Sequence, residues 1–237
     1  MRTEYGFEPF GTAHLTTLSL IVVVAVLLPL TVRLLVPALT RPVAYLLAAL
    51  LLIQEALQSW MQTATLGISL DLLPLHLCTL SVFLTAWMLI APGQRVFEVA
   101  YFWGLGGGVQ ALLTPDLIQG FPAPQYLLFF LGHGLVVIGV LYATLTLRLR
   151  PYPRSLLRVP LLTLAYAALI FAVNLQLGTN FLYLMAKPGR ASILDWFGPW
   201  PWYWLGLIAV GMLTFAVLYS PFLLWDVRRW RRQRWHG

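Results

Sequence analysis

Two residue types that can act on a carbonyl group stand close together in an apolar stretch. In Asp71-Leu-Leu-Pro-Leu-His-Leu-Cys-Thr-Leu-Ser-Val-Phe-Leu-Thr85, His76 and the only cysteine of the chain, Cys78, open an otherwise hydrophobic run. A thiol becomes a nucleophile when a base takes its proton, and it can then hold an acyl group as a thioester. His133, in Leu-Gly-His-Gly-Leu, is a second candidate for general base, or for acid toward a leaving group. The bland alternatives are a packed thiol for Cys78 and an interhelical hydrogen bond for His133.

Asp71, Pro74, Cys78, Ser81 and Thr85 are spaced 3, 4, 3 and 4, which on a continuous helix makes one polar stripe. His76 would then lie about 200° round from Cys78, unless Pro74 loosens the start of the helix. Glu55, Ser59 and Gln62 share one helical face, and Gln54, Gln58 and Thr65 an adjacent one. The histidines together with Glu55 also allow a metal-bound hydroxide as nucleophile. None of the histidines has an i, i+4 partner, so no metal site is assigned and no cofactor is expected.

The elements that must position these residues are membrane spans. Of the 237 residues 60% are hydrophobic and 10% charged, with mean hydropathy +0.81. A soluble domain carries about 25% charged residues. The apolar residues fall in blocks near the ~20 residues that cross a bilayer. The expectation is an all-α, polytopic seven-helix bundle forming a single integral membrane domain over 1–237. Its spans are expected at about 15–36, 43–65, 72–91, 95–113, 125–147, 158–178 and 202–225. The N-terminus, Met1 to His14, lacks the basic region and cleavage site of a signal peptide, so the first block is expected to be retained.

A net charge of +7 can signal nucleic-acid binding, but these basic residues are placed otherwise. With the N-terminus outside, Arg33, Arg41, Arg95, the arginines at 148, 150, 154 and 158, and those at 228, 229, 231, 232 and 234 all fall inside. Only Arg2, Lys187 and Arg190 fall outside. The positive-inside rule favours N-out, C-in. The expected partners are membrane lipids, not nucleic acid, and the expected location is the inner (cytoplasmic) membrane. Trp196, Trp200, Trp202, Tyr203, Trp225 and Trp230 suit interfacial belts. Gly104-Leu-Gly-Gly-Gly108 has no preceding strand, so it reads as small residues for close helix packing. One cysteine excludes an internal disulfide.

This topology brings the polar residues to one depth. His14, Glu55, Gln58, Gln62, His76, Cys78, Ser81 and His133 all fall toward the outer side, as do Gln110, Asn174, Gln176 and Asn180. Ionisable and polar residues in a bilayer face the bundle interior or a cavity. An outward-facing pocket is therefore expected, with Cys78, His133 and His76 as catalytic candidates. His14, Glu55, Gln58, Gln62, Ser81, Asn174 and Asn180 are expected to line it. A small-solute or proton-coupled transporter and a purely structural membrane protein are the competing readings.

Several segments together resemble the YwaF-like bacterial integral membrane proteins. They are Phe10-Gly-Thr-Ala-His14, Leu73-Pro-Leu-His-Leu-Cys78, Gly132-His-Gly134, Asn174 followed by Gly178-Thr-Asn180-Phe-Leu-Tyr183, Lys187-Pro188 and Gly198-Pro-Trp-Pro-Trp-Tyr203. That family is similar to the eukaryotic transmembrane protein 164, regarded as a phospholipid acyltransferase that uses a cysteine and a histidine. The resemblance implies Cys78 as nucleophile, with His133 or His76 as base. Asn174 and Asn180 are expected to orient groups or stabilise an oxyanion. The residues of the bound O-acyltransferases are absent.

Overall fold

The computed structural model describes residues 6–187 and 193–235. Arg2, Pro188 and Arg190 lie outside them, and so do the side chains of Trp230 and the five tail arginines. Seven long helices follow one another: α1 (Thr12–Leu34), α2 (Thr40–Leu66), α3 (Leu77–Ile90), α4 (Gln94–Leu113), α5 (Pro124–Leu145), α6 (Ser155–Leu177) and α7 (Tyr203–Trp235). All seven spans are long and apolar enough to cross a membrane, that of α3 with the short turn before it. The protein is a multi-pass, all-helical membrane protein. Among the described residues the only β-type pairing is a single bridge between Gly6 and Gln119.

The chain forms two compact units, residues 1–149 and 150–237. In the first, α5 is the central element and packs against α1, α2, α3 and α4. Its glycines explain how four neighbours reach it. In a bilayer, helices associate mainly through close van der Waals packing, which small residues permit. A Cβ on Gly132 would fall 2.7 Å from Gln54 of α2, one on Gly134 3.0 Å from Ile21 of α1, and one on Gly139 2.7 Å from Thr85 of α3. The glycines of α4 answer from the other side. A Cβ on Gly104 would meet Val136 at 2.9 Å, and one on Gly108 would meet Val137 at 3.4 Å.

Hydrogen bonds to backbone carbonyls close the end away from Cys78. Tyr142 donates to Thr40 O (2.7 Å), Thr146 to Pro29 O (3.0 Å) and Arg33 to Leu145 O (2.9 Å).

The second unit holds α6 and α7. Gly178, with φ +68, ends α6 in the left-handed conformation that glycine accepts without a Cβ penalty. The loop beyond it is tied down by aromatic donors: Trp200 and Trp204 donate to Leu184 O (3.0 and 3.2 Å), and Tyr203 to Tyr183 O. Tyr203, expected in an interfacial belt, is instead fully buried, because its hydroxyl organises this loop. Trp196, Trp200 and Trp202 are exposed. At the far end of this unit, Arg150 pairs with Asp226 at 2.7 Å and lies 4.8 Å from the ring centres of Tyr152 and Trp225.

One expectation changes. The third span does not begin as an α-helix at 72. Ser69 caps a single 3-10 turn over Leu70–Leu72, Leu73 is extended ahead of Pro74, and α3 starts only at Leu77. A residue before proline is driven out of the α region, and that breaks the stretch here. Asp71 and Pro74 therefore leave the helical stripe, which is reduced to Cys78, Ser81 and Thr85. His76 is the residue immediately before α3, with extended φ/ψ of −72° and 145°, so an angle around a regular helix does not apply to it.

Candidate functional site

The expected site residues of the first unit lie toward the end where α1, α3 and α5 begin and α2 and α4 finish. Cys78 occupies the first turn of α3, and its side chain is exposed in the isolated chain. No side chain caps this helix. The N–H groups of a first turn lack intrahelical partners and carry the positive end of the helix dipole. Across from it runs α4. A Cβ on Gly107 would sit 3.8 Å from Cys78 Sγ, and one on the next residue, Gly108, 3.8 Å from His133 O. Consecutive glycines of one helix thus meet the thiol on one side and the His133 turn on the other.

His133 is half-buried in α5, one residue beyond the glycine that receives Gln54. Its Nδ1 lies 2.9 Å from Phe129 O. A carbonyl only accepts, so Nδ1 carries the hydrogen, and in the neutral ring Nε2 keeps its lone pair. Nε2 has no hydrogen-bond partner among the described residues. The Phe129 ring, 4.3 Å from the imidazole centroid, fixes the other side of the ring.

The remaining expected site residues divide by what their polar atoms already do. His14 is 1% exposed and fully committed: Phe10 N donates to Nδ1 at 2.9 Å, and Nε2 donates to Leu112 O at 2.8 Å. It joins the start of α1 to the end of α4 inside a cage of Phe7, Phe10 and Phe130. A cleft of about 240 Å³ lies beside it, lined by Phe7, Glu8, Thr12, Gly120 and Tyr126 among others, but not by Cys78 or His133. Ser81 is buried and donates to Leu77 O at 2.8 Å.

Glu55 takes a hydrogen bond from Ser59, and both Gln58 and Gln62 are half-buried on α2. Among the described residues no three His, Cys, Asp or Glu side chains come together as a metal-binding set.

Asn174 and Asn180 belong to the second unit, and each organises it. Asn174 Nδ2 donates to Phe181 O, while its Oδ1 accepts from Thr179 and from Phe181 N, all at 2.9 Å. Asn180 does the same for the following turn, donating to Ala186 O and accepting from Met185 N and Ala186 N. These carboxamides close the end of α6 and its loop.

Two residues of interest carried too weak a sequence signal. Glu98, 2% exposed on α4, accepts from Gln94 at 2.9 Å, an ordinary i, i+4 pattern. Gln54 looks like any packing glutamine until its burial against Gly132 is seen.

A model of the TMEM164 family matches residues 9–219. The chain belongs to the TMEM164 family. The matched region contains Cys78, His133, His76, His14, Asn174 and Asn180, and it stops short of the arginine-rich end of α7. No curated protein and no solved structure matches the chain.

Proposed function

We propose that this TMEM164-family protein transfers acyl groups on membrane lipids through a thioester at Cys78, with His133 as the base. The observation that carries the reading is the His133–Phe129 hydrogen bond, which leaves Nε2 as a proton acceptor on the helix turn level with the Gly107–Gly108 step beside Cys78.

The chemistry balances with these two groups alone. Nε2 takes the Cys78 proton as sulfur adds to an ester carbonyl. The tetrahedral adduct collapses, the carbon–oxygen bond to the leaving alcohol breaks, and the imidazolium returns its proton to that oxygen. In the second half Nε2 takes a proton from an acceptor alcohol, whose oxygen adds to the thioester carbonyl. The new ester forms as the thiolate leaves and is reprotonated. With water in place of the alcohol, the same steps hydrolyse the ester. The free N–H groups opening α3 are donors suited to an oxyanion formed beside Cys78.

With N-out topology, as the arginine distribution favours, the site faces the outer half of the cytoplasmic membrane. Profiling the lipids of cells that carry wild-type protein, Cys78→Ala or His133→Ala tests the reading. It expects the acyl composition of one phospholipid class to change with wild type and with neither variant. An identical profile for all three would sink it.

A further inference from the structure

We infer that the cleft beside His14 binds an alkylammonium group, carried by a phospholipid headgroup or by a free amine. The cleft, of about 240 Å³, stands ahead of the first turns of α1 and α5. Both helices are long and apolar enough to cross a membrane, so their ends mark the depth of the headgroups. Its volume is below the roughly 300–1,000 Å³ of a pocket for a drug-sized ligand, which suits one small polar group and not an acyl chain.

The wall of the cleft is held in place. Gly6 bridges to Gln119, and Phe7 N donates to Ile118 O at 2.9 Å. Gly11 N donates to Glu8 O at 3.1 Å, so the backbone of Glu8 is anchored on both sides. Gly11 has φ −65° and ψ 170°, a conformation open to any residue, so what the glycine supplies is space. A Cβ there would fall 2.9 Å from Glu8 Oε2, and the carboxylate lies in the room left by its absence.

Glu8 is the one charged group lining this cleft, and among the described residues its carboxylate has no hydrogen bond or ion pair. His14 is neutral, because Nδ1 accepts from Phe10 N while Nε2 donates to Leu112 O. The cleft therefore carries one uncompensated negative charge. The Tyr126 hydroxyl is taken up by Thr17 and Ala13 O, so Tyr126 contributes its ring, as do Phe7 and Phe121.

A carboxylate beside aromatic rings holds an organic ammonium ion, which is drawn both to the opposite charge and to the ring faces. A metal ion is not provided for, since no three His, Cys, Asp or Glu side chains come together among the described residues. A free anion would meet the charge of Glu8. The amides of Thr12 and Ala13, at the uncapped start of α1, border the same cleft and are donors for the phosphate that a zwitterionic headgroup carries next to its ammonium. Neither Cys78 nor His133 lines this cleft, so the inference goes beyond the acyl-transfer reading and does not depend on it.

The test uses the full chain in detergent with Cys78→Ala, where no thioester forms. Native mass spectrometry gives affinities for dioleoyl phosphatidylcholine, phosphatidylethanolamine and phosphatidylglycerol, and saturation-transfer NMR those for choline and ethanolamine. Glu8→Gln removes the charge and Phe121→Leu removes a ring while keeping the charge. Phe121 is 53% exposed and Glu8 is exposed too, so both variants are expected to melt with their parent.

Affinity for either amine-bearing lipid is expected to fall about fivefold in Glu8→Gln and about threefold in Phe121→Leu, with phosphatidylglycerol unaffected. That result assigns the cleft to a lipid headgroup. The same dependence for choline or ethanolamine, with none for the lipids, assigns it to a free amine. No loss for any amine in Glu8→Gln overturns the proposal. So does an equal loss for phosphatidylglycerol, or a loss in Glu8→Gln with none in Phe121→Leu, since the charge would then act without the cleft.

Discussion

The sulfur of Cys78 stands against Gly107: a Cβ added to that glycine would lie 3.8 Å from Sγ, an ordinary van der Waals distance. Gly139, on α5, is different, because its Cβ would fall 2.7 Å from Thr85 Cγ2. Thr85 is β-branched and fully buried, so it has little rotamer freedom with which to yield. Gly139→Ala is expected to cost about 1–3 kcal/mol, read as a lower unfolding midpoint. Gly107→Ala is expected to leave that midpoint unchanged. Equal effects of the two substitutions would contradict the packing described.

His14 is expected to matter for stability and not for chemistry. Both ring nitrogens are engaged, and His14→Ala strands the buried Leu112 O and frees the half-buried Phe10 N. Two lost bonds, one leaving a buried acceptor behind, cost about 2–4 kcal/mol in total. The check is acyl labelling normalised to folded protein, which should stay at the wild-type level while the melting temperature drops. Loss of labelling at an unchanged melting temperature would place His14 in the site.

Asn174 is expected to behave likewise. Its three bonds close the end of α6, so Asn174→Leu should destabilise the second unit by about 2–4 kcal/mol. Protection of the loop amides 179–186 from hydrogen exchange would fall with it. A variant with full protection and no activity would instead argue for a role in binding an oxyanion.

Much of this was legible in the sequence because a bilayer makes strong demands. Seven apolar blocks, glycines at α4 and α5, and arginines in two clusters follow from the cost of exposing polar groups to lipid. The ends of the spans read from those blocks fall within a few residues of the helix ends at all but two places. One is the end of α7, which runs on to Trp235 beyond its apolar block; the other is the start of α3, where Pro74 overrides the hydrophobic pattern and removes His76 from the helix.

The candidate site was legible in part. Residue type singled out Cys78 and His133, but the tautomer of His133 depends on Phe129 O. The commitment of His14 depends on Leu112 O, 98 positions away. Backbone carbonyls carry no residue signature, so bonds to them are invisible in composition or spacing. For the same reason Asn174 and Asn180 looked like pocket residues when their work is to shape their own loop.

His133→Ala is expected to slow thioester formation by about 10²–10⁴-fold, the usual worth of a general base. The effect should show in the rate of acylation with little change in melting temperature, since the lost bond runs only to a helix carbonyl. A parallel His76→Ala variant with the larger rate loss would reassign the base.

The most direct measurement of the central claim is the mass of the purified protein after exposure to phospholipid vesicles. The account predicts a mass increase equal to one acyl group, labile to hydroxylamine, mapping to the peptide that contains Cys78 and absent from Cys78→Ala. No adduct on the wild-type protein, or an adduct that survives Cys78→Ala, would contradict it.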